Sequence, residues 1–187
     1  MALAMTQDAP SLPVVIADYD PRWPAVYDEE GARIQAAIGE WLLGIEHVGS
    51  TSVPGLAAKP VVDIMPGLRS LGDSPHIVKP LQKLGYQYFP EHETVMPERR
   101  YFALPAGDKH RARRRFHIHA VETTSAFWRR HLSFRNYLRA HPDVADEYGA
   151  LKRRLAAEYG SDRVGYTEAK TEFITRIESL ALAEKAG

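Results

Sequence analysis

GIEHVGSTSVPGLAAKPVVDIMPG, Gly44 to Gly67, sets two apolar runs on either side of a turn built from small residues. Ile45 to Val48 predicts a short strand, Gly49 to Gly55 is turn chemistry, Leu56 to Lys59 could close one helical turn, and Pro60 to Met65 reads as a second strand. The unit is strand, glycine turn, strand. Upstream, Val14 to Asp20 begins as an apolar run of strand length, and Asp20-Pro21 offers a cap and a proline near a helix start. Trp23, Val26, Tyr27, Ile34, Ile38 and Leu42 then recur at three- and four-residue spacing as one apolar stripe. Residues 1–12 read as a flexible lead-in.

Downstream, His76 to Leu84 predicts a helix closed by Gly85, while Tyr86 to Phe89 and Arg100 to Leu104 predict strands. Phe116 to Val121 alternates strictly and puts His117 and His119 on one face. From Ser125 the period becomes helical. Phe127, Phe134 and Leu138 mark one helix, Val144, Tyr148, Leu151, Leu155 and Tyr159 a second, and Phe173, Ile177 and Leu180 a third. The expected fold is α+β: a sheet of about five strands in residues 14–122, helices over 125–183, and one domain across 14–187.

The 187 residues are 44% hydrophobic and 26% charged, which suits an ordinary globular protein. Lys plus Arg and Asp plus Glu number 24 each, so the chain as a whole has no pull on a polyanion or a membrane surface. The absence of cysteine excludes a disulfide framework, a thiolate zinc site and a cysteine nucleophile. With no apolar run of membrane-spanning length and no secretory start, the expectation is a cytoplasmic protein. The charge is nonetheless uneven: residues 1–62 hold eight acids and three bases, a balance of −5, whereas 99–139 hold eleven bases and two acids, a balance of +9.

Ser50, Thr51 and Ser52 after Gly49 can turn several N–H groups and hydroxyls toward one anion, a phosphate cradle by geometry, although the same residues also serve plain turns. The segment is not a P-loop, since Gly49 and Gly55 are six apart and Pro60 stands where the magnesium-binding Ser or Thr would be. Asp63, flanked by Val62 and Ile64, is either a carboxylate satisfied by the neighbouring turn or a ligand for a divalent ion. His117 and His119 suit a metal site or a phosphate-contact pair, and equally a solvated polar face. Glu122 stands close enough in sequence to add a carboxylate. The run KHRARRR, Lys109 to Arg115, is a solvated loop or a phosphate clamp, and its lack of interleaved aromatics argues against nucleic acid. Tyr166 and Lys170, four apart, can share a helical face toward a ligand, or the first packs and the second is solvated.

HVGSTSVPGLAAKPVVDI, RRYF near 100, FHIHAVE, FRNYLRAHPDVADEYGALK and YTEAKTEFI together resemble the GrpB family of small bacterial proteins, within the nucleotidyltransferase superfamily, over roughly residues 14–180. That resemblance implies a nucleotidyltransferase-like mixed β-sheet with flanking helices. It also implies a cleft for a nucleotide or other phosphorylated small molecule, formed by the Gly49-Ser50 turn, Asp63 and His117/His119. A divalent metal (Mg, Mn or Zn) would sit on Asp63, His117 and His119, which would also be the catalytic set. Gly49, Ser50, Thr51, Ser52, Lys59, Arg100 and Lys170 would hold phosphate. The superfamily's second acidic position is Met65 here, and histidines stand where its third carboxylate is expected. This departure keeps open a catalytically inactive binding or partner-interaction module. Relatives of the family occur fused to dephospho-CoA kinase, which implies a link to coenzyme A metabolism.

Overall fold

The computed structural model describes residues 12–107 and 114–186. Along the chain these form α1 (Trp23–Ile38), β1 (Leu42–Val48), β2 (Val62–Leu68), α2 (Ser74–Lys83), β3 (Gln87–Tyr88), β4 (Arg99–Leu104) and β5 (Phe116–Glu122). Four helices follow: α3 (Ala126–Ala140), α4 (Pro142–Tyr159), α5 (Arg163–Glu168) and α6 (Thr171–Ala186). The five strands make one mixed sheet in the order β1-β2-β5-β4-β3, in which β2 and β5 run parallel and the other neighbours antiparallel. This is the α+β, five-stranded architecture with flanking helices that the periodicity predicts.

Each sheet face has its own cover. Ile64, Phe102, Ile118 and Ala120 point to one side and pack with Ile34 and Ile38 of α1 and Ile77 and Leu81 of α2. On the other side Val48, Met65 and Val121 meet Phe127 of α3. A separate cluster joins Leu138, Tyr148, Phe173 and Ile177 of the late helices to Val53 and Leu56, which follow the turn after β1. That contact lays the C-terminal helices over the glycine turn.

Local differences from the sequence reading have physical causes. The stripe of α1 ends at Ile38, because Gly39–Trp41 tightens into a 3-10 turn and Leu42 opens β1 instead of continuing the helix. Val14 to Asp20 forms no strand: its one sheet-like contact is the isolated bridge from Ala17 to Ala58. The same bridge holds Leu56 to Lys59 extended, so the expected helical turn there does not form. The second strand, expected over Pro60 to Met65, starts at Val62 and runs on to Leu68, because the ladder to β5 skips Met65 and Pro66 and resumes at Gly67. The C-terminal region holds four helices where three are expected, since Asp162 accepts the Gly165 N–H and starts the short α5. Ser125 caps α3 as its position predicts, accepting the Trp128 N–H at 3.1 Å. Most of the N-terminal lead-in and Lys109 to Arg113 of the basic run lie outside the described residues.

Gly67 shows how tightly α3 sits on the sheet. A Cβ there would stand 2.5 Å from Thr123 Cγ2 and 2.8 Å from the Trp128 ring, so both side chains would have to shift. Gly67→Ala should therefore lower the unfolding free energy by about 1–3 kcal/mol, read as a shifted urea midpoint at unchanged slope.

Candidate functional site

The site is set by strand register. In the parallel β2–β5 pair Asp63 lies opposite His117, and the alternation of β5 brings His119 to the same face. Asp63 Oδ1 receives both imidazoles, from His117 Nδ1 at 3.1 Å and His119 Nε2 at 3.2 Å. Burial alone would raise the Asp63 pKa, but the hydrogen bonds from His117 and His119 overcome it and hold the carboxyl well below the usual carboxylate range. Burial pushes the His119 pKa down, and the nearby Arg99 and His117 act in the same direction. Ligand atoms of Asp63, His117 and His119 lie within 4.8 Å of one another.

The turn after β1 is pressed against this carboxylate. Gly49 has φ 71° and ψ −176°, a conformation that favours glycine, and a Cβ on it would fall 2.5 Å from Asp63 Oδ2. Ser50–Ser52 then forms a 3-10 turn. Ser52 Oγ donates to Gly49 O at 2.5 Å, and Arg139 of α3 clamps Ser52 O with two N–H groups at 2.9 and 2.7 Å. Arg135 donates to His47 O at 2.9 Å and to Glu46 at 2.6 Å. His47, buried and stacked on Tyr27, lies 3.0 Å from Thr51 Oγ1, and burial pushes its pKa down to about 4. The cradle is thus braced from behind by α1 and α3.

Between turn, cluster and C-terminal helices lies a cavity of about 210 Å3. Gly49, Ser50, Thr51, Lys59, Asp63 and His117 border it from the sheet side. Tyr148, Lys152, Tyr166 and Lys170 close it from the helices. Lys152 is only 3% exposed, donates to Ala57 O and rests over the Tyr148 ring. Lys59 and Lys170 both approach the ring of Tyr166, at 5.6 and 4.4 Å from its centroid. Burial, then the neighbouring cations, brings Lys152 down to about 7, and burial with Lys59 brings Lys170 down to about 8.

The structure gathers Gly49, Ser50, Thr51, Lys59, Lys170, Asp63 and His117 around one cavity, with His119 joined to it through Asp63. Ser52 is buried behind the turn. Arg100 is not brought there: it pairs with Ala120, on the opposite face of the sheet from His119, and engages Ser74 at 3.1 Å and Glu93 at 3.2 Å. Glu122 is also directed elsewhere, accepting the Leu71 N–H at 2.9 Å. Tyr166 packs with 1% exposure while bordering the cavity, on α5 rather than on one continuous helix with Lys170. Of the basic run, Arg114 is buried over Phe89 and Arg115 is exposed. Sequence reasoning passes over Lys152 and takes Arg99 only as one member of the basic segment. The signal for Lys152 was present: it sits four residues after Tyr148 and three before Leu155, on the apolar stripe itself.

The family model described as GrpB protein matches residues 13–180. The chain belongs to the GrpB family. UPF0157 protein YqkA of Bacillus subtilis is 36% identical over 178 residues, 95% of this chain and 50% of the relative, so this GrpB chain spans half that protein's length. The crystal structure of conserved protein GrpB from Enterococcus faecalis matches with a TM-score of 0.81 at 32% identity, covering 92% of this chain and 100% of the other. The dephospho-CoA kinase of Mycolicibacterium paratuberculosis is 31% identical over 184 residues, 88% of this chain and 45% of the kinase. Among the described residues of this GrpB protein no helix is long and apolar enough to cross a membrane.

Gly49→Ala tests the link between turn and cluster. It should cost about 1–3 kcal/mol of stability from backbone strain and displace the Asp63 carboxylate, read as a lower urea midpoint together with shifted His117 and His119 ring resonances in NMR.

Proposed function

We propose that the cavity binds a small phosphorylated ligand, a nucleotide or a related phosphate ester, with its anionic group on Lys59, Lys152 and Lys170 and against the Gly49–Thr51 turn. The single observation that carries this reading is the convergence of three lysines on one cavity of about 210 Å3 beside a turn of small residues. Buried cations repel one another, and an anion between them removes that repulsion while gaining charge-assisted hydrogen bonds. The hydroxyl of Ser50 adds a neutral donor at the same wall, whereas that of Thr51 is turned to Val61 O at 3.4 Å. His117, with Asp63 behind it, faces the remainder of the ligand. The relatives named as dephospho-CoA kinases, enzymes whose name describes a phosphorylated substrate, agree with this class of ligand.

The divalent metal expected on Asp63, His117 and His119 would find these three side chains together, although both imidazoles are engaged on Asp63 Oδ1. One carboxylate and two imidazoles suit zinc or manganese better than magnesium, which prefers oxygen ligands. Met65, at the superfamily's second acidic position, is fully buried against Val48, Val121 and Phe127, so that place offers no oxygen. The reading is accordingly one of ligand binding, including binding without turnover as in a partner-interaction module. A paired-metal nucleotidyl transfer is not part of it.

Calorimetric titration with ATP and with sulfate, each with and without Mg, Mn or Zn, tests the proposal. Binding is expected, weakened at least about tenfold by Lys152→Met, which removes one charge-assisted contact. No binding under any metal condition, or binding indifferent to both Lys152→Met and Lys170→Met, refutes it.

The same lysines give a pH dependence. Only their protonated forms attract the anion, so affinity for sulfate, whose charge is constant here, should be full below pH 7 and fall as pH rises through about 7 and 8. Binding near pH 8 should take up protons, measured as a dependence of the observed heat on buffer ionisation enthalpy.

A further inference from the structure

The hydrogen-bond inventory around Asp63 fixes where its protons are. Arg99 Nη1 lies 3.2 Å from His119 Nδ1. A guanidinium only donates, so Nδ1 of His119 must accept, which excludes the imidazolium and the Nδ1–H tautomer and leaves the hydrogen on Nε2. That nitrogen faces Asp63 Oδ1, an acceptor, so the arrangement is consistent at both ends of the ring. His117 presents Nδ1 to the same oxygen and donates there too, which in the neutral ring leaves the lone pair on Nε2, a buried atom that hydrogen-bonds to nothing among the described residues.

Every imidazole nitrogen that faces Asp63 therefore carries a hydrogen. A metal bound in their midst needs lone pairs in those places. His117 can supply one by changing tautomer. His119 cannot do so while Arg99 donates to its far nitrogen, because a metal-ligating histidine ordinarily gives its other N–H to an acceptor. Arg99 does the opposite, and it is held in position: its guanidinium lies 4.9 Å from the Tyr101 ring centroid and 5.9 Å from that of Phe127, with its other amino group 3.5 Å from His92 Nδ1. Tyr101 pairs directly with His119 across β4 and β5, so the same register that aims His119 at Asp63 aims Arg99 at His119.

We infer that Arg99 is a positioning residue that locks His119 in the Nε2–H tautomer, and thereby keeps the Asp63–His117–His119 cluster as a hydrogen-bonded carboxylate closed to divalent metal. The base that the cluster then presents is Nε2 of His117. This inference goes beyond the phosphate reading and does not depend on what the lysine cavity binds.

Two measurements decide it. Long-range 15N–1H NMR of ring-labelled wild-type protein reads the tautomer directly: His119 should show protonated Nε2 and unprotonated Nδ1. Cobalt(II) alone, titrated by visible absorption, compares the wild type with Arg99→Met, which removes the donor, and Arg99→Gln, whose amide oxygen can accept from Nδ1–H. The wild type should bind weakly, Arg99→Met more tightly, and Arg99→Gln most tightly, with roughly a ten- to hundredfold gain expected from exchanging a wrong second-shell partner for a right one. His117→Ala in the Arg99→Gln background should remove the absorption. An Nδ1–H tautomer in the wild type, variants that bind cobalt no more tightly than it does, or two variants equal to each other would overturn the assignment. Calorimetric sulfate binding, measured on the same samples, reports on the phosphate reading separately.

Discussion

A carboxylate on a central strand, between two apolar neighbours, stays ionised only if something compensates its lost hydration, and in this protein the compensation is a pair of imidazole N–H groups on the adjacent parallel strand. The demand propagates. Because both histidines converge on Oδ1, Asp63 turns Oδ2 toward the turn after β1, and the chain at Gly49 must pass without a side chain. The turn is consequently held at a fixed distance from the cluster, and Arg139 and Ser52 fix its far side. Cluster, cradle and α3 form one mechanical unit.

This arrangement explains what the basic segment does. The surplus of positive charge in residues 99–139 invited a ligand-clamp reading, but its described members are largely spent on the protein itself. Arg135 holds the end of β1 and Arg139 the backbone of the turn, Arg99 addresses His119, Arg100 pairs with Glu93, and Arg130 pairs with Glu178. The cations at the cavity come instead from three distant places, Lys59 before β2, Lys152 on α4 and Lys170 between α5 and α6. Local charge density along a chain and charge density around a site are different quantities, and only folding relates them.

Much of the architecture was legible because it follows from period alone. The alternation of Phe116 to Val121 and the stripes of α3, α4 and α6 each name a buried face without knowledge of partners. What period does not encode is pairing. Nothing in RRYF says that Tyr101 rather than Phe102 stands beside His119, and that parity decides that Arg99, not Arg100, reaches the cluster. Lys152 was hidden for a different reason. A lysine on an apolar stripe ordinarily extends its stem along the core and its charge into water, whereas the late helices cover this one completely. Likewise Met65 looked like a lost ligand in the sequence, and in the fold it is a core residue whose thioether fills the space under Phe127.

The burial of Lys152 also carries weight in the functional argument. Burial and the neighbouring cations bring its pKa down from the ordinary lysine value of 10.5 to about 7, so the folded state binds fewer protons than the unfolded one between those limits. Stability from this group is thus complete only above pH 10.5 and is lost as pH falls toward 7, which makes Lys152 a liability at neutral pH. A fold under selection for stability alone would pair such a group with a carboxylate or replace it with an apolar side chain of similar volume. Its hydrogen-bond acceptor is instead the backbone carbonyl of Ala57, and its nearest charged influences are Lys170 and Lys59. Asp63, the carboxylate at the same cavity, is already occupied by two histidines. Local rules broken in this way, with no carboxylate paired to the lysine among the described residues, are characteristic of sites where the compensation arrives with a ligand. In the proposed reading that compensation is the ligand's anion, set among Lys59, Lys152 and Lys170.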